Sequence, residues 1–347
     1  MVKINFSKLE LGYDVVVIGG GAAGCSFLSN ISDEKYNVLL VDYRSFPRFK
    51  ACSGILVNNA KKYFDGINIP SSIMAKPVDL HLTYQDWTHN KENKVEKHFV
   101  NTYRKKLDEL LFSEVKKRNI SILEETKLID FFYTKDKKHT VVVLESNGMT
   151  KSIVTKNLIG CDGALSLVRK KIYPRNIPYY VAMQETIPDH KIDRAFFIFD
   201  EDITDFYCWL IPKDDGVEIG AAVSPFKARE TFQKFKKKVA EKTGIKGDGK
   251  IESAIILRPE SSSDFFLGEN SVFLCGEAAG LISPSSAEGI SYALISGKLC
   301  AEALNSEEKN PIVSYKKKCK TLLDRLNEKL LKSKKISHSK NRKTLFS

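Results

Sequence analysis

Near the N-terminus a short run, Gly19-Gly20-Gly21-Ala22-Ala23-Gly24, follows a β-branched stretch at residues 14–18 and opens a helix-compatible stretch at 22–31. Residues 38–41 then read as a second buried strand that ends on Asp42. A G-x-G-x-x-G alone is weak, because glycines also mark ordinary turns. Between a strand and a helix, with an acid closing the next strand, it is the pattern that holds a dinucleotide pyrophosphate. Gly19 permits the tight turn, Gly21 lets backbone approach the anion, and Gly24 lets the helix lie close on the sheet. Ala23 belongs to the same first turn, where N–H groups and the helix dipole favour negative charge. Asp42, eighteen residues past Gly24, would accept from a ribose hydroxyl.

That motif does not separate NAD from FAD. Two later segments do. Gly160-Cys161-Asp162-Gly163-Ala164-Leu165-Ser166-Leu167-Val168-Arg169 follows a buried strand, and so does Gly276-Glu277-Ala278-Ala279-Gly280, with Pro284 and Glu288-Gly289-Ile290 after it. An acid at a strand end, flanked by small residues, can accept from a polyol while backbone passes close by. FAD has a ribityl chain that needs such acceptors, and NAD has none. Asp162 has an alternative role in holding its own turn.

Together and in this order, these three segments resemble FAD enzymes of the para-hydroxybenzoate hydroxylase fold, over roughly residues 13–304. Within that fold the chain resembles the geranylgeranyl reductase family. Lys50-Ala51-Cys52-Ser53-Gly54-Ile55-Leu56 is similar to the family's K-x-C-G-G-x-L stretch near the flavin. Arg104-Lys105-Lys106-Leu107-Asp108-Glu109-Leu110-Leu111 is similar to its R-x-x-F-D-x-x-L helix. Tyr207-Cys208-Trp209-Leu210-Ile211-Pro212 is similar to its Y-x-W-x-F-P element. The resemblance implies an enzyme that reduces double bonds of isoprenoid chains. It implies FAD contacts from Gly24, Asp42, Arg104, Glu277, Gly289 and Ile290. It also implies that the backbone of Cys52, Ser53 and Ile55 lies along the flavin, that Leu128 backbone meets the adenine, and that Tyr207 and Trp209 line the substrate cavity. Tyr43, Gly163 and Gly276 flank these positions and join the cofactor set. Two positions depart from the pattern: Glu277 stands where the family has Asp, and Ser53 where it has Gly.

Several residues carry two readings. Cys52 is a thiol near the substrate or a small structural hydrophobe. Lys50 and Arg48 place positive charge near the flavin or sit on the surface. Tyr207 and Trp209 are cavity walls or core aromatics of a sheet. Flavin supplies the hydride chemistry, so the protein's task is to orient an apolar substrate and exclude water, with Cys52, Tyr207 and Trp209 as the catalytic candidates. No second G-x-G-x-x-G is present, so electrons would come from transiently bound NAD(P)H or from a small carrier such as ferredoxin. The same fold admits a monooxygenase, and a halogenase because residues 207–212 are also similar to that family's W-x-W-x-I-P element. A non-catalytic flavin carrier is a further alternative.

The elements that must position these residues follow from periodicity. Residues 78–84, 95–101, 120–123, 128–133, 140–144, 152–159 and 272–275 read as strands, and 179–223 as mainly extended. Residues 107–118, 226–242 and 287–304 read as helices, and another starts at Pro311. Residues 47–59 read as a loop running into a helix. The expected architecture is α/β: a Rossmann-type FAD-binding domain with an inserted strand-rich α+β substrate domain. The first comprises residues 1–75, 102–175 and 265–310, the second 76–101 and 176–264. Residues 311–347 form a C-terminal helix and a basic tail.

Seven cysteines without a C-x-x-C pair argue against a disulfide framework and a structural zinc site, and no metal ligands are expected. No apolar run reaches the roughly eighteen residues of a membrane span, and the N-terminus lacks a signal-peptide core. A cytoplasmic protein is expected. From Val313 to Ser347 twelve Lys or Arg stand against Asp324 and Glu328, so the tail carries +10 of the overall +12. This charge suits an anionic inner membrane face or an acidic electron donor, and no specific nucleic acid is expected; the alternative is a solvated, frayed end. Phe232 and Phe235 on the 226–242 helix either pack in the core or rest on a membrane.

Overall fold

A computed structural model describes residues 2–57, 60, 69–306 and 308–346. The end of the run at 47–59, where a helix was expected, and residues 61–68 of the first nucleotide-binding stretch lie outside them.

Among the described residues two sheets share the chain. The first is built on parallel strands in the order Val2–Lys3, Ser121–Leu123, Val38–Val41, Gly12–Ile18, Met149–Gly160 and Val272–Leu274. Its central strands are uninterrupted runs such as Val15, Val16, Val17 and Leu39, Leu40, Val41, all fully buried. Such runs are expected where both faces of a parallel sheet are covered. Met149–Gly160 is longer than its parallel neighbours, and its first half pairs antiparallel with Thr140–Ser146, which in turn pairs with Lys127–Tyr133. Helix Ala22–Asn30 packs against Arg104–Lys116 and Ile290–Asn305. The last of these starts three residues later than its apolar periodicity suggests, because Gly289 serves as its N-cap.

The second sheet runs Glu252–Leu257, Tyr179–Pro188, Gly216–Val223, Thr204–Lys213, Ala195–Asp200, Met74–Asp86, Lys91–Thr102 and Ile55–Leu56. Period-two alternation sorts its side chains. Cys208 and Leu210 face helix Ala228–Thr243, whose Phe232, Phe235 and Val239 are fully buried against them. Core packing, not a membrane surface, therefore accounts for those phenylalanines. Tyr207, Trp209 and Ile211 face the other way, into a second cluster with Phe199 and Phe206.

The basic C-terminal segment is folded, in place of a frayed end. Pro311 opens helix Pro311–Lys318, and Lys320–Ser337 follows. Leu322, Leu326, Leu330 and Ile336 are buried along one side, at a spacing that keeps them on a single helix face. No helix among the described residues is long and apolar enough to cross a membrane.

Candidate functional site

One row of paired residues crosses the parallel core: Leu123, Val41, Ile18, Gly160 and Leu274. The chain leaves consecutive strands of this row into the segments singled out above. Asp42 follows Val41, Gly19 follows Ile18, Cys161-Asp162-Gly163 follows Gly160, and Cys275-Gly276-Glu277 follows Leu274. They emerge side by side at the carboxyl ends of parallel strands, where open α/β sheets bind ligands.

The glycines are required by close approach. Gly19 has a φ of +100°, and a Cβ on it would lie 2.5 Å from the Cys161 carbonyl oxygen. A Cβ on Gly24 would lie 1.9 Å from the carbonyl oxygen of Gly19. The helix can therefore rest on the turn only without those side chains. At Gly276 the helix starts meet, since a Cβ there would touch the Cβ atoms of Ala23 (3.0 Å) and Ala293 (3.2 Å). Neither Gly21 nor Gly289 caps its helix with a side chain, so the first-turn N–H groups after Gly21 remain available to an anion, whereas the Glu288 carboxyl takes the Ser291 N–H of the other helix. Ile290 is the first residue of the second of these helices.

Arg48 supplies a cation at the same place. Its guanidinium stands 2.9 Å from where a Gly21 Cβ would be and rests over the Phe46 ring. It lies 3.7 Å from Asp108, which also takes a 2.7 Å hydrogen bond from Arg104 Nε. Burial works against the charge of Arg104, but Asp108 and the Cys52 thiol outweigh it and hold the group above its ordinary value. Two guanidinium groups thus share one buried carboxylate, which leaves positive charge beside an open helix N-terminus.

The acids divide. Asp42 accepts from Gly20 N–H at 2.7 Å and Arg44 N–H at 2.9 Å, so it shapes the glycine loop directly. Tyr43 beside it is exposed, with the Arg44 guanidinium over its ring. Leu128 lies two residues past Thr126, whose N–H donates to the Asp42 carbonyl, and its strand pairs it with Leu144. Asp162 Oδ2 accepts from Leu167 and Val168 N–H and holds its turn. Its buried Oδ1 has no hydrogen-bond partner among the described residues. Burial raises the pKa of this carboxyl. Gly163 faces open space, with no atom within 4 Å of a Cβ position.

Glu277 uses its extra methylene to reach across. Its Oε1 accepts from Leu257 N–H of the second sheet at 2.9 Å, and its Oε2 lies 3.5 Å from Lys50 Nζ. The carboxylate joins the two sheets, and the charge of Lys50 is directed at it.

The uncapped start of the first helix with Arg48 suits a pyrophosphate, and a buried unpartnered oxygen on Asp162 suits a hydroxyl donor. The residues fit FAD. They would hold it along the carboxyl row, with Gly21, Arg48 and Gly289 at phosphate or flavin oxygens and Asp162 at the ribityl chain.

Facing this row, the second sheet presents aromatic rings. Tyr207 is packed 4.7 Å from Phe206 and 5.3 Å from Phe197 between ring centroids. Its hydroxyl donates to Ser286 O at 2.7 Å, and burial pushes the hydroxyl's pKa up. Trp209 lies flat across Gly220, its strand partner, where a Cβ would sit 2.2 Å from the indole. Cys52 is half-buried, and its Sγ accepts from Gly54 N–H at 3.5 Å. Ser53 and Ile55 are tied to the second sheet, through Lys213 and through pairing with Asn101. Ile336 of the C-terminal helix and Phe346 close the aromatic cluster. Among the described residues no group of three or more His, Cys, Asp or Glu is placed to hold a metal ion.

Two residues escaped the sequence reading. Lys213, at the end of a strand, is buried under the residue 52–55 turn. Glu288 was visible only as a neighbour of Gly289. Burial pushes its carboxyl up to about 7, and its buried Oε1 has no hydrogen-bond partner among the described residues. It follows Ala287, a non-glycine residue at φ +48° that packs on the aromatic cluster. No local pattern announces either residue; each is defined by distant neighbours.

The family described as FAD binding domain matches residues 12–246. Protein CbrA of Escherichia coli O6:H1 is 30% identical over 331 residues, 93% of this chain and 89% of its own length. Protein CbrA of Shigella sonnei is also 30% identical, over 93% of this chain and 92% of its own. Among solved structures, a geranylgeranyl bacteriochlorophyll reductase-like protein of Thermoplasma acidophilum superposes with a TM-score of 0.78 at 17% identity, covering 96% of this chain and 89% of that one. The p-nitrophenol 4-monooxygenase of Pseudomonas putida gives 0.75 at 15% identity, over 95% and 91%. A flavin-dependent halogenase gives 0.67 at 20% identity, over 93% and 63%. At these identities the structural likenesses are likenesses of fold, and they bear out the expected α/β architecture of a Rossmann-type unit with an inserted strand-rich one.

Proposed function

The chain belongs to the FAD binding domain family of oxidoreductases, and from that premise we propose that it reduces carbon–carbon double bonds of an isoprenoid or other hydrophobic substrate. The observation that carries this reading is the apolar face opposite the cofactor row. Tyr207 and Trp209 stand there among Phe197, Phe199 and Phe206, with Ile336 and Phe346 over them. Bound FAD supplies the hydride. The chain's own residues do the rest. The aromatic face orients an apolar chain, and the C-terminal helix keeps water from it. Cys52 stands at the edge of this face with Tyr207 near it. Glu288 is the nearby carboxyl that can hold a proton close to neutral pH.

The same reading gives the tail its use. Lys316, Lys317, Lys318, Lys320, Lys334 and Lys335 are exposed. They offer a basic surface to an anionic membrane that holds the substrate, or to an acidic donor such as ferredoxin, with NAD(P)H as the alternative source of electrons. The protein would then work in the cytoplasm, peripheral to the inner membrane face.

The deciding experiment is anaerobic reoxidation of the reduced, FAD-loaded protein by geranylgeranyl lipids, with mass spectrometry of the products. Reoxidation with two hydrogens gained per double bond is expected. Silence there, with rapid oxidation in air and a hydroxylated or halogenated product from an aromatic panel, overturns the reductase reading in favour of a monooxygenase or halogenase. Bound FAD with no turnover of either kind leaves a flavin carrier.

A further inference from the structure

We propose that Lys213 is a positioning residue for the cofactor, fixing the turn at residues 52–55 that would lie along the flavin. The proposal rests on the FAD reading of this site. Lys213 ends strand Thr204–Lys213 and is only 6% exposed. Its Nζ donates to Ser53 O at 2.6 Å, Asn101 Oδ1 at 2.6 Å and Thr102 O at 2.9 Å. An ammonium group has three N–H donors, so all of them are used.

The acceptors are themselves held. Asn101 Nδ2 donates to Pro212 O at 2.8 Å and Pro77 O at 3.2 Å. Thr102 Oγ1 donates to Gly54 O at 2.5 Å. Gly54 has a φ of +69°, and a Cβ on it would lie 2.3 Å from Thr102 O, so no other residue lets the turn sit this close. Consecutive carbonyls, Ser53 and Gly54, are therefore both drawn onto the second sheet. A peptide unit is planar and rigid. Anchoring the Ser53 carbonyl sends the Gly54 N–H the opposite way, where it meets Cys52 Sγ.

Stability alone gives little reason for this arrangement. Burying an ammonium against neutral acceptors is costly, and an apolar side chain of similar volume would fill the same space at less expense of solvation. Burial indeed lowers the pKa of Lys213, against the opposing charge of Glu218. What a methionine could not do is orient the Ser53–Gly54 peptide. The lysine joins the end of the strand that carries Tyr207 and Trp209 to the turn that carries Cys52. It thereby sets the distance between the substrate-facing and cofactor-facing walls.

The test compares full-length wild type, Lys213→Met and Lys213→Arg. FAD affinity is read by flavin fluorescence, and amide hydrogen exchange over residues 50–56 is read with and without FAD. Lys213→Met is expected to weaken FAD binding by about tenfold or more and to speed exchange in that segment in both states, with partial recovery in Lys213→Arg. Should Lys213→Met not fold, Lys213→Gln, which cannot serve all three acceptors, is read in the same way. Wild type that binds FAD beside a Lys213→Met variant with unchanged affinity and exchange overturns the proposal alone. Wild type that takes up no FAD overturns the cofactor reading and this proposal with it.

Discussion

Arg342 and Asp86 form an ion pair that is 1% and 2% exposed, with Arg342 Nε 2.9 Å from Asp86 Oδ2. It fastens the end of the C-terminal segment to the long strand Met74–Asp86. Ser333 Oγ, on the same segment, donates to Pro284 O beside the cofactor row, and Arg258 donates to Ser337 Oγ. Removing one partner of a buried pair costs up to roughly 3–5 kcal/mol, and here His89, whose N–H and ring also meet the Asp86 carboxylate, keeps part of it paired. Arg342→Met is thus expected to lower the urea midpoint and to open the segment after residue 310 to limited proteolysis. Arg342→Met with Asp86→Asn should recover much of the loss, because the carboxylate left behind is the larger penalty. An unchanged midpoint and cleavage pattern would show that the pair does not hold the segment.

Gly24→Ala places a methyl group where the Gly19 carbonyl oxygen already is. The helix must lift from the glycine loop, with an overpacking cost of about 1–3 kcal/mol or more. We expect a variant that, when soluble, purifies with far less flavin absorbance per protein than wild type. Full flavin occupancy in Gly24→Ala would mean that the loop does not receive the pyrophosphate.

Trp209 and Gly220 are complementary across their strands. Trp209→Ala should cost about 3–5 kcal/mol by opening a cavity, and Gly220→Ala should destabilise by collision with the indole, 2.2 Å from the new Cβ. The double variant is expected to be more stable than the sum of the single effects, because the methyl group enters the space the indole left. Strict additivity in denaturant titrations would refute this packing.

Glu288 gives a pH signature. Its carboxyl is raised from 4.5 to about 7 in the folded chain by burial, with Lys329 opposing. The folded state then holds the proton more tightly than the unfolded state, and stability falls as pH rises from about 4.5 to 7. The loss amounts to at most roughly 3 kcal/mol. Glu288→Gln cannot ionise, so its melting temperature should gain on wild type across that window and keep a constant lead above it. Parallel profiles for the two proteins would show that Glu288 titrates normally.

Much of this arrangement is legible in the chain because it is local. Continuous Val and Ile runs mark strands covered on both faces, and glycines at fixed spacing mark a turn that only glycine can make. The acids Asp42, Asp162 and Glu277 are found because each follows such a strand. What those acids touch is not legible. Whether Glu277 reaches a cofactor hydroxyl or Leu257 N–H depends on one methylene and on a sheet contributed by another part of the chain. The same holds for Lys213 beneath residues 52–55 and for Arg342 against Asp86, which are 256 positions apart. Charge counting shows a basic tail. It does not show that Leu322, Leu326, Leu330 and Ile336 give that tail an apolar side and fold it onto the protein.

The row from Leu123 to Leu274 has a further consequence, for how quickly the protein forms. Strand Gly12–Ile18 must wait for Met149–Gly160, and that strand for Val272–Leu274, before the parallel core is complete. Pairings this remote in sequence cost loop-closure entropy before their contacts reward it, and a chain of 347 residues reaches them through intermediates. In those intermediates the early strands present bare edges to other chains. Soluble yield should therefore respond more to slower synthesis and lower temperature than to any single surface substitution. The cofactor can help only at the end, because the loops that would grip it come into line when the last strand is in place.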